Sequence, residues 1–309
     1  MPQPSAQAPA AVVMVRPHRF HPNPETAADN AFQSPADQAA DAIASLAHAE
    51  VTAAAARLQA AGVRVHLFED LGERGTPDAV FPNNWFSTHA GGHVALYPMF
   101  AESRRRERRA DVIEMLKAEY RVQDVIDYSG LEADGMFLEG TGAMVLDHIE
   151  RVAYTAQSNR ADPVALERFC THFNYEPMAF ATTDAQGMPC YHTNVMLCVG
   201  TDFALGGFHL VSDPVRRQAV CERLAESGRT LIELSAQQIG DFAGNALELT
   251  GKEGRVLALS ARAAASLTAA QKAVIERSAA LLPLAVPTIE LAGGSVRCML
   301  AGIHLARRG

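Results

Sequence analysis

Ser212–Leu234 reads SDPVRRQAVCERLAESGRTLIEL, and the order of signals in it decides the architecture of the chain. Ser212 and Asp213 precede Pro214 at a point where a helix needs side-chain acceptors for its free first-turn N–H groups. Apolar residues then recur at three- and four-residue spacing up to Ser227, and Gly228 stops the pattern. Thr230–Leu234 follows at once as a β-rich run.

The same succession occurs four more times. Helical patterns over Asp37–Ala61, Glu102–Tyr120, Pro163–Phe173 and Thr268–Leu281 are followed by β-rich runs over Val63–Phe68, Arg121–Ile126, Tyr175–Phe180 and Leu284–Ile289. Thr268 and Gln271 have capping-box spacing. Further short strands fall between these pairs, among them Val94–Tyr97, Ala143–Leu146, Val195–Val199, Ala246–Leu249 and Val256–Leu259. The unit is therefore strand, strand, helix, strand.

Polar residues at strand heads keep step with the unit. Asn84, Glu139, His192, Asn245 and Cys298 are separated by 55, 53, 53 and 53 residues. A period near 50 residues marks a propeller or a solenoid, and its mixed α and β content narrows the choice. Closing five units into a ring brings the five strand heads to one axis. The last strand, Cys298–Leu305, would then pair with the first, Val12–Arg16. Residues more than 200 positions apart would share one pocket.

The composition is that of an ordinary globular protein: 309 residues, 48% hydrophobic, 20% charged, net charge −8. The run Arg104, Arg105, Arg106, Arg108 and Arg109 is interrupted by Glu107 and opens a helical pattern, so it reads as a solvated helix face and not as a nucleic-acid patch. No apolar stretch has the ~20 residues of a membrane span. Residues 1–11, rich in Pro, Ala and Gln, read as a disordered tail ahead of a single catalytic domain over 12–309. Five scattered cysteines without CxxC spacing argue against disulfides and zinc, and for a reducing cytoplasm. No metal or organic cofactor is expected. Homo-oligomerisation stays open.

Cys298 follows Gly293-Gly294-Ser295-Val296-Arg297, where glycines permit close backbone approach and a neighbouring cation favours a thiolate. His192 stands before the apolar run Val195–Val199, and a thiol brought to an imidazole suggests covalent chemistry with general acid/base help. Glu139, between apolar residues and Gly140-Thr141-Gly142, needs a partner if buried; His192 or a hydrogen-bonding substrate would supply one.

Phe81-Pro82-Asn83-Asn84-Trp85, Leu138-Glu139-Gly140-Thr141-Gly142, His192-Thr193-Asn194 and Gly293 to Cys298 together resemble the active-site signatures of the guanidino-group modifying superfamily, which includes amidinotransferases and arginine deiminases. The resemblance runs from Val12 onward and implies a pentein fold, an α/β propeller of five ββαβ blades. It implies Cys298 as nucleophile, His192 as acid/base and Glu139 as a substrate-orienting carboxylate. Ser158-Asn159-Arg160 is similar to a Ser-x-Arg element whose arginine holds a substrate α-carboxylate. Asn83, Asn84, Asn194 and Arg297 join the expected substrate-binding set.

The chain departs from the arginine-binding members at two positions. Asn84 and Asn194 stand where those members carry aspartates for a guanidinium. An amide cannot neutralise a cation, but it complements a neutral ureido group in both donors and acceptors. The pattern is most similar to the citrulline-utilisation hydrolases, so a small-molecule hydrolase of citrulline is expected. Hydrolysis of arginine or a methylated arginine, and a non-catalytic amino-acid binder, are the alternatives.

Overall fold

A computed structural model describes residues 6–35 and 39–309. Among these, fifteen strands form five three-stranded sheets with one repeated topology. β1 (Ala11–Pro17) and β2 (Arg64–Asp70) run parallel, bridged by the helix Ala40–Ala60. β3 (Phe86–His89) turns tightly into antiparallel β4 (His93–Leu96), and a helical crossover returns parallel β5 (Asp124–Asp127) to β4. The pattern repeats in β6 (Met144–Asp147), β7 (Val152–Ala156) and β8 (Glu176–Phe180). It repeats again in β9 (Leu197–Val199), β10 (Phe203–Gly206) and β11 (Thr230–Glu233), and in β12 (Leu247–Gly251), β13 (Gly254–Ser260) and β14 (Ala279–Leu284).

The ring closes with β15 (Ala301–Gly302). It lies antiparallel to β1, with Val12 opposite Gly302 and Val13 opposite Ala301. The molecule is a five-bladed α/β propeller of ββαβ repeats, the pentein fold. The crossover helices pack apolar residues on their own sheets, as Ala40–Ala60 does on β1 and β2, and neighbouring blades share cores. Phe203, Leu205, Leu257 and Leu259 belong to one such core, and Val12, Leu58, Leu249 and Val296 to another.

Several expected boundaries move. The helical pattern beginning at Asp37 places its first residue outside the described residues; the helix runs from Ala40. Glu102–Tyr120 splits into two helices, Glu102–Arg105 and Ala110–Glu119, because Arg104 and Glu107 turn inward at the break. The fifth helix, Ala269–Ile275, keeps its Thr268/Gln271 capping box but ends early. Its strand therefore occupies Ala279–Leu284 and not Leu284–Ile289, in register with β13. The helix-forming Ala-Ala-Leu-Leu run is overridden by that pairing. The final strand shrinks to two residues because Val296–Met299 forms a helical turn, with Cys298 and Met299 N–H groups donating to Ser295 O.

Of the tail expected over 1–11, Met1–Ser5 lie outside the described residues. Gln7 and Ala8 depart from it: both are buried, and Gln7 Nε2 donates to the carbonyls of Leu146 and Val199 at 3.0 and 2.9 Å. These bonds satisfy strand-end carbonyls that burial would otherwise leave without a donor. No helix among the described residues is long and apolar enough to cross a membrane.

Candidate active site

The strand heads are built alike. A short helical turn precedes the first strand of a blade at Pro82–Asn84, Gly140–Ala143, Thr193–Val195 and Val296–Met299, and a backbone turn from Phe242 to Asn245 does the same. Each turn aims a polar side chain at the ring axis. Asn84, Glu139, His192, Asn245 and Cys298 are all buried there, none more than 2% exposed.

The Cys298 sulfur is met by two amides. Asn194 Nδ2 and Asn245 Nδ2 each donate to Sγ at 3.3 Å. Asn245 also fixes the turn that carries the thiol, since its Oδ1 accepts from Arg297 N at 3.0 Å and its Nδ2 donates to Asn194 O at 2.9 Å. The sequence register contains Asn245, but a carboxamide alone announces no chemistry, so the expected site set omits it.

His192 and Glu139 form a buried pair, Nε2 to Oε2 at 2.7 Å. Burial lowers the His192 pKa to about 4, against the opposing pull of Glu139. For Glu139, burial raises the pKa, but Arg160, the His192 bond and Arg104 together hold it well below the usual carboxylate range. The pair is thus a neutral imidazole on an ionised carboxylate. Glu139 Oε1 accepts from Phe100 N at 3.0 Å, which fixes the carboxylate plane.

Two buried arginines face this carboxylate. Arg160 Nε and Nη2 donate to Asp29 at 3.1 and 2.6 Å, Nη1 reaches Glu139 Oε2 at 3.5 Å, and the guanidinium lies 5.0 Å from the Tyr191 ring centre. Arg104 is the correction of most consequence. It is 2% exposed, not a solvated helix-face residue. Its guanidinium donates twice to Glu107 at 3.0 Å and reaches Glu139 at 3.5 Å and Asp78 at 3.8 Å. Burial lowers the Arg104 pKa, and these carboxylates more than reverse that. With its amide oriented to satisfy both neighbours, Asn84 accepts from Arg104 Nη1 and Nη2 at 2.9 Å and donates to Asn83 Oδ1 at 3.1 Å.

A cavity of about 10 Å³ joins these groups, lined by Cys298, His192, Asn84, Arg104, Arg160 and Asp78 among others. That is about the room for one water. Gly142 packs behind two of its lining residues: a Cβ there would stand 2.1 Å from the Asn84 carboxamide and 2.9 Å from His192 Nδ1. The segment Asn23–Ser34 straps the cavity shut. Asn23 donates to Asp78, Asp29 pairs with Arg160, Asn30 donates to Ala292 O, and Ser34 N donates to Leu291 O.

Two expected substrate contacts lie elsewhere. Asn83 is fully buried behind Asn84, its backbone carbonyl accepting from Thr141 Oγ1, and it does not line the cavity. Arg297 leaves the turn on the side opposite Cys298, donates to Leu300 O and lines a different cavity. Adjacent residues in a helical turn point about 100° apart, and here that separation puts Cys298 and Arg297 in different cavities.

A family model described as N,N dimethylarginine dimethylhydrolase, eukaryotic, matches residues 16–305. No curated protein matches the sequence. Among solved structures, the N-terminal domain of ArgZ bound to substrate, an arginine dihydrolase of cyanobacteria, has a TM-score of 0.71 at 15% identity over 95% of this chain and 97% of that one. AgrE in complex with ornithine and NAD+ gives 0.73 at 16% identity over 97% of this chain, which spans 40% of AgrE. A dimethylarginine dimethylaminohydrolase bearing an S-methyl-L-thiocitrulline adduct gives 0.61 at 15% identity, over 96% and 99% of the two chains.

Proposed function

We propose that this chain, which belongs to the N,N-dimethylarginine dimethylhydrolase family and is a C–N hydrolase of the guanidino-modifying pentein superfamily, hydrolyses the ureido group of citrulline to ornithine, ammonia and carbon dioxide.

One observation carries the choice of substrate. The side chains that touch the Cys298 sulfur are amides, Asn194 and Asn245, and the carboxylates Glu139, Asp78 and Glu107 are all engaged by arginine. A guanidinium at the thiol would give up two charge-assisted contacts, at ~1.5–3 kcal/mol each. A ureido group finds its hydrogen-bonding complement there.

In the proposed reaction Cys298 Sγ attacks the ureido carbon as its proton passes to His192. Glu139 is placed to stabilise the imidazolium so formed. With Nε2 tied to Glu139, Nδ1 is the ring atom that exchanges the proton. The imidazolium protonates the ornithine nitrogen, the C–N bond breaks and a carbamoyl thioester remains. His192 then takes a proton from water, the hydroxide displaces the thiolate, and carbamate decomposes to ammonia and carbon dioxide. Arg160 would receive the substrate carboxylate, for which the Asn23–Ser34 strap must open and release Asp29.

A second reading, arginine or dimethylarginine as substrate, draws support from the family model and from the site's excess of carboxylates over arginines. Comparing kcat/KM for citrulline, arginine and dimethylarginine decides between them. The citrulline reading requires citrulline to lead by about 10²-fold, the equivalent of two contacts at ~1.5 kcal/mol. Cys298→Ala must be inactive on all three. Equal turnover of arginine would end the ureido assignment, and an active Cys298→Ala enzyme would end the mechanism.

A further inference from the structure

Behind the strand heads, on the side of the turn away from Cys298, the ring encloses a second cavity of about 40 Å³. Its walls include Gln7, Thr88, His148, Cys198, Arg297 and His304, and among the described residues no aspartate or glutamate lines it. Arg297 is the one formal charge in that wall among the described residues. Its Nη1 donates to the Leu300 carbonyl at 3.0 Å, and among the described residues it makes no ion pair. Burial lowers the Arg297 pKa, and the neighbours that oppose this are two thiols, Cys298 and Cys198. A guanidinium keeps its proton under all ordinary conditions, and a cation held out of bulk water without a countercharge is costly.

The remaining wall suits an anion. His148 and His304 stack with ring centres 3.8 Å apart at 24°. Burial, and the nearby Arg297, hold both imidazoles below their usual pKa, so each is neutral and carries one N–H. Neutral rings do not compete with the guanidinium for an anion; the His304 ring is engaged by the Ala6 backbone and His148 Nδ1 by Tyr175 Oη at 2.9 Å. The volume corresponds to about three water-sized spheres, the size of one small inorganic ion and far below that of an amino acid.

We propose that this cavity binds one small monovalent inorganic anion, of the chloride or bicarbonate class, on the Arg297 guanidinium. The site is separate from the cavity that holds Cys298 and does not depend on the identity of the substrate. Its occupant would be the countercharge that no side chain provides to Arg297.

Crystals grown without halide and then soaked in bromide should show an anomalous peak against the Arg297 guanidinium. In solution, replacing gluconate by chloride, and separately by bicarbonate, at fixed ionic strength should raise Tm saturably, by about 3 °C at roughly tenfold excess over Kd. The two salts identify which anion is preferred. Arg297→Gln, checked for folding by circular dichroism, should lose the shift. If that variant does not fold, the bromide map of the unaltered protein still decides. An empty cavity in that map, with the same Tm in chloride, bicarbonate and gluconate, overturns the proposal.

Discussion

Asn245 precedes Cys298 by one repeat length, and its carboxamide both donates to the Cys298 sulfur at 3.3 Å and accepts from the backbone of Arg297. One side chain therefore sets the position of the thiol and offers a hydrogen bond that strengthens when sulfur becomes an anion. Removing a bond to a charged group costs ~1.5–3 kcal/mol. Asn245→Ala should slow iodoacetamide modification of Cys298 at pH 7 by about tenfold and lower kcat more than it raises KM. Unchanged alkylation with reduced activity would assign Asn245 a purely architectural role.

Asn84 and Asn194 are not equivalent. Asn84 already faces the Arg104 guanidinium at 2.9 Å, so an aspartate there meets a cation. Asn194 faces the thiol, so an aspartate there opposes a thiolate. Asn84→Asp should fold normally and move the preference toward arginine. Asn194→Asp should depress kcat/KM for every substrate by about 10²-fold. Steady-state kinetics on both variants check this; equal effects would show that position relative to sulfur is irrelevant.

Asp29 occupies the Arg160 fork that a substrate carboxylate would need. Asp29→Asn weakens that competitor while leaving the side-chain volume unchanged. KM for citrulline should fall several-fold. A rise in KM would mean that Asp29 contacts the substrate.

Gly142 gives a steric test. An added methyl would strike the Asn84 carboxamide and crowd His192 Nδ1. Gly142→Ala should lose activity by about 10²-fold or more, because displacing a catalytic group by about 1 Å has that consequence. Tm should drop far less than activity. Near-normal turnover would show that the His192 placement is not demanding.

Acid should unfold the protein through buried neutral histidines. His192, with a folded pKa of about 4, and His89, lowered further in the same direction by burial, bind fewer protons in the folded state than in the unfolded state between pH 4 and 6.5. Stability therefore rises with pH across that window and is lost as pH falls through it. His192 alone accounts for roughly 3 kcal/mol between those limits. Urea midpoints at pH 7 and pH 4.5 check the sign; equal midpoints would contradict it.

The ring was legible because it rests on a repeated spacing that survives any local error, and the strand-head residues fell out of it together. Boundaries were less legible where pairing overrides propensity, as at Ala279–Leu284. Arg104 escaped because a buried arginine and a solvated one are spelled alike; the difference lies in Asp78, Glu107 and Glu139, which arrive from separate turns of the chain. Arg297 was misdirected for the opposite reason. Its sequence neighbour is the thiol, but adjacency along a helical turn separates side chains.

The pairing of β15 with β1 fixes the order in which a growing chain can become an enzyme. Val12 and Val13 are made long before Ala301 and Gly302, and one edge of β1 stays unpaired until those two residues emerge. Cys298 arrives in the same few residues. A nascent chain can assemble its four middle strand groups from local contacts, yet it holds an unpaired β1 edge and lacks Cys298 until the last of those groups has been made. Ring closure and Cys298 are delivered together, so an unfinished ring lacks the thiol proposed to carry the chemistry.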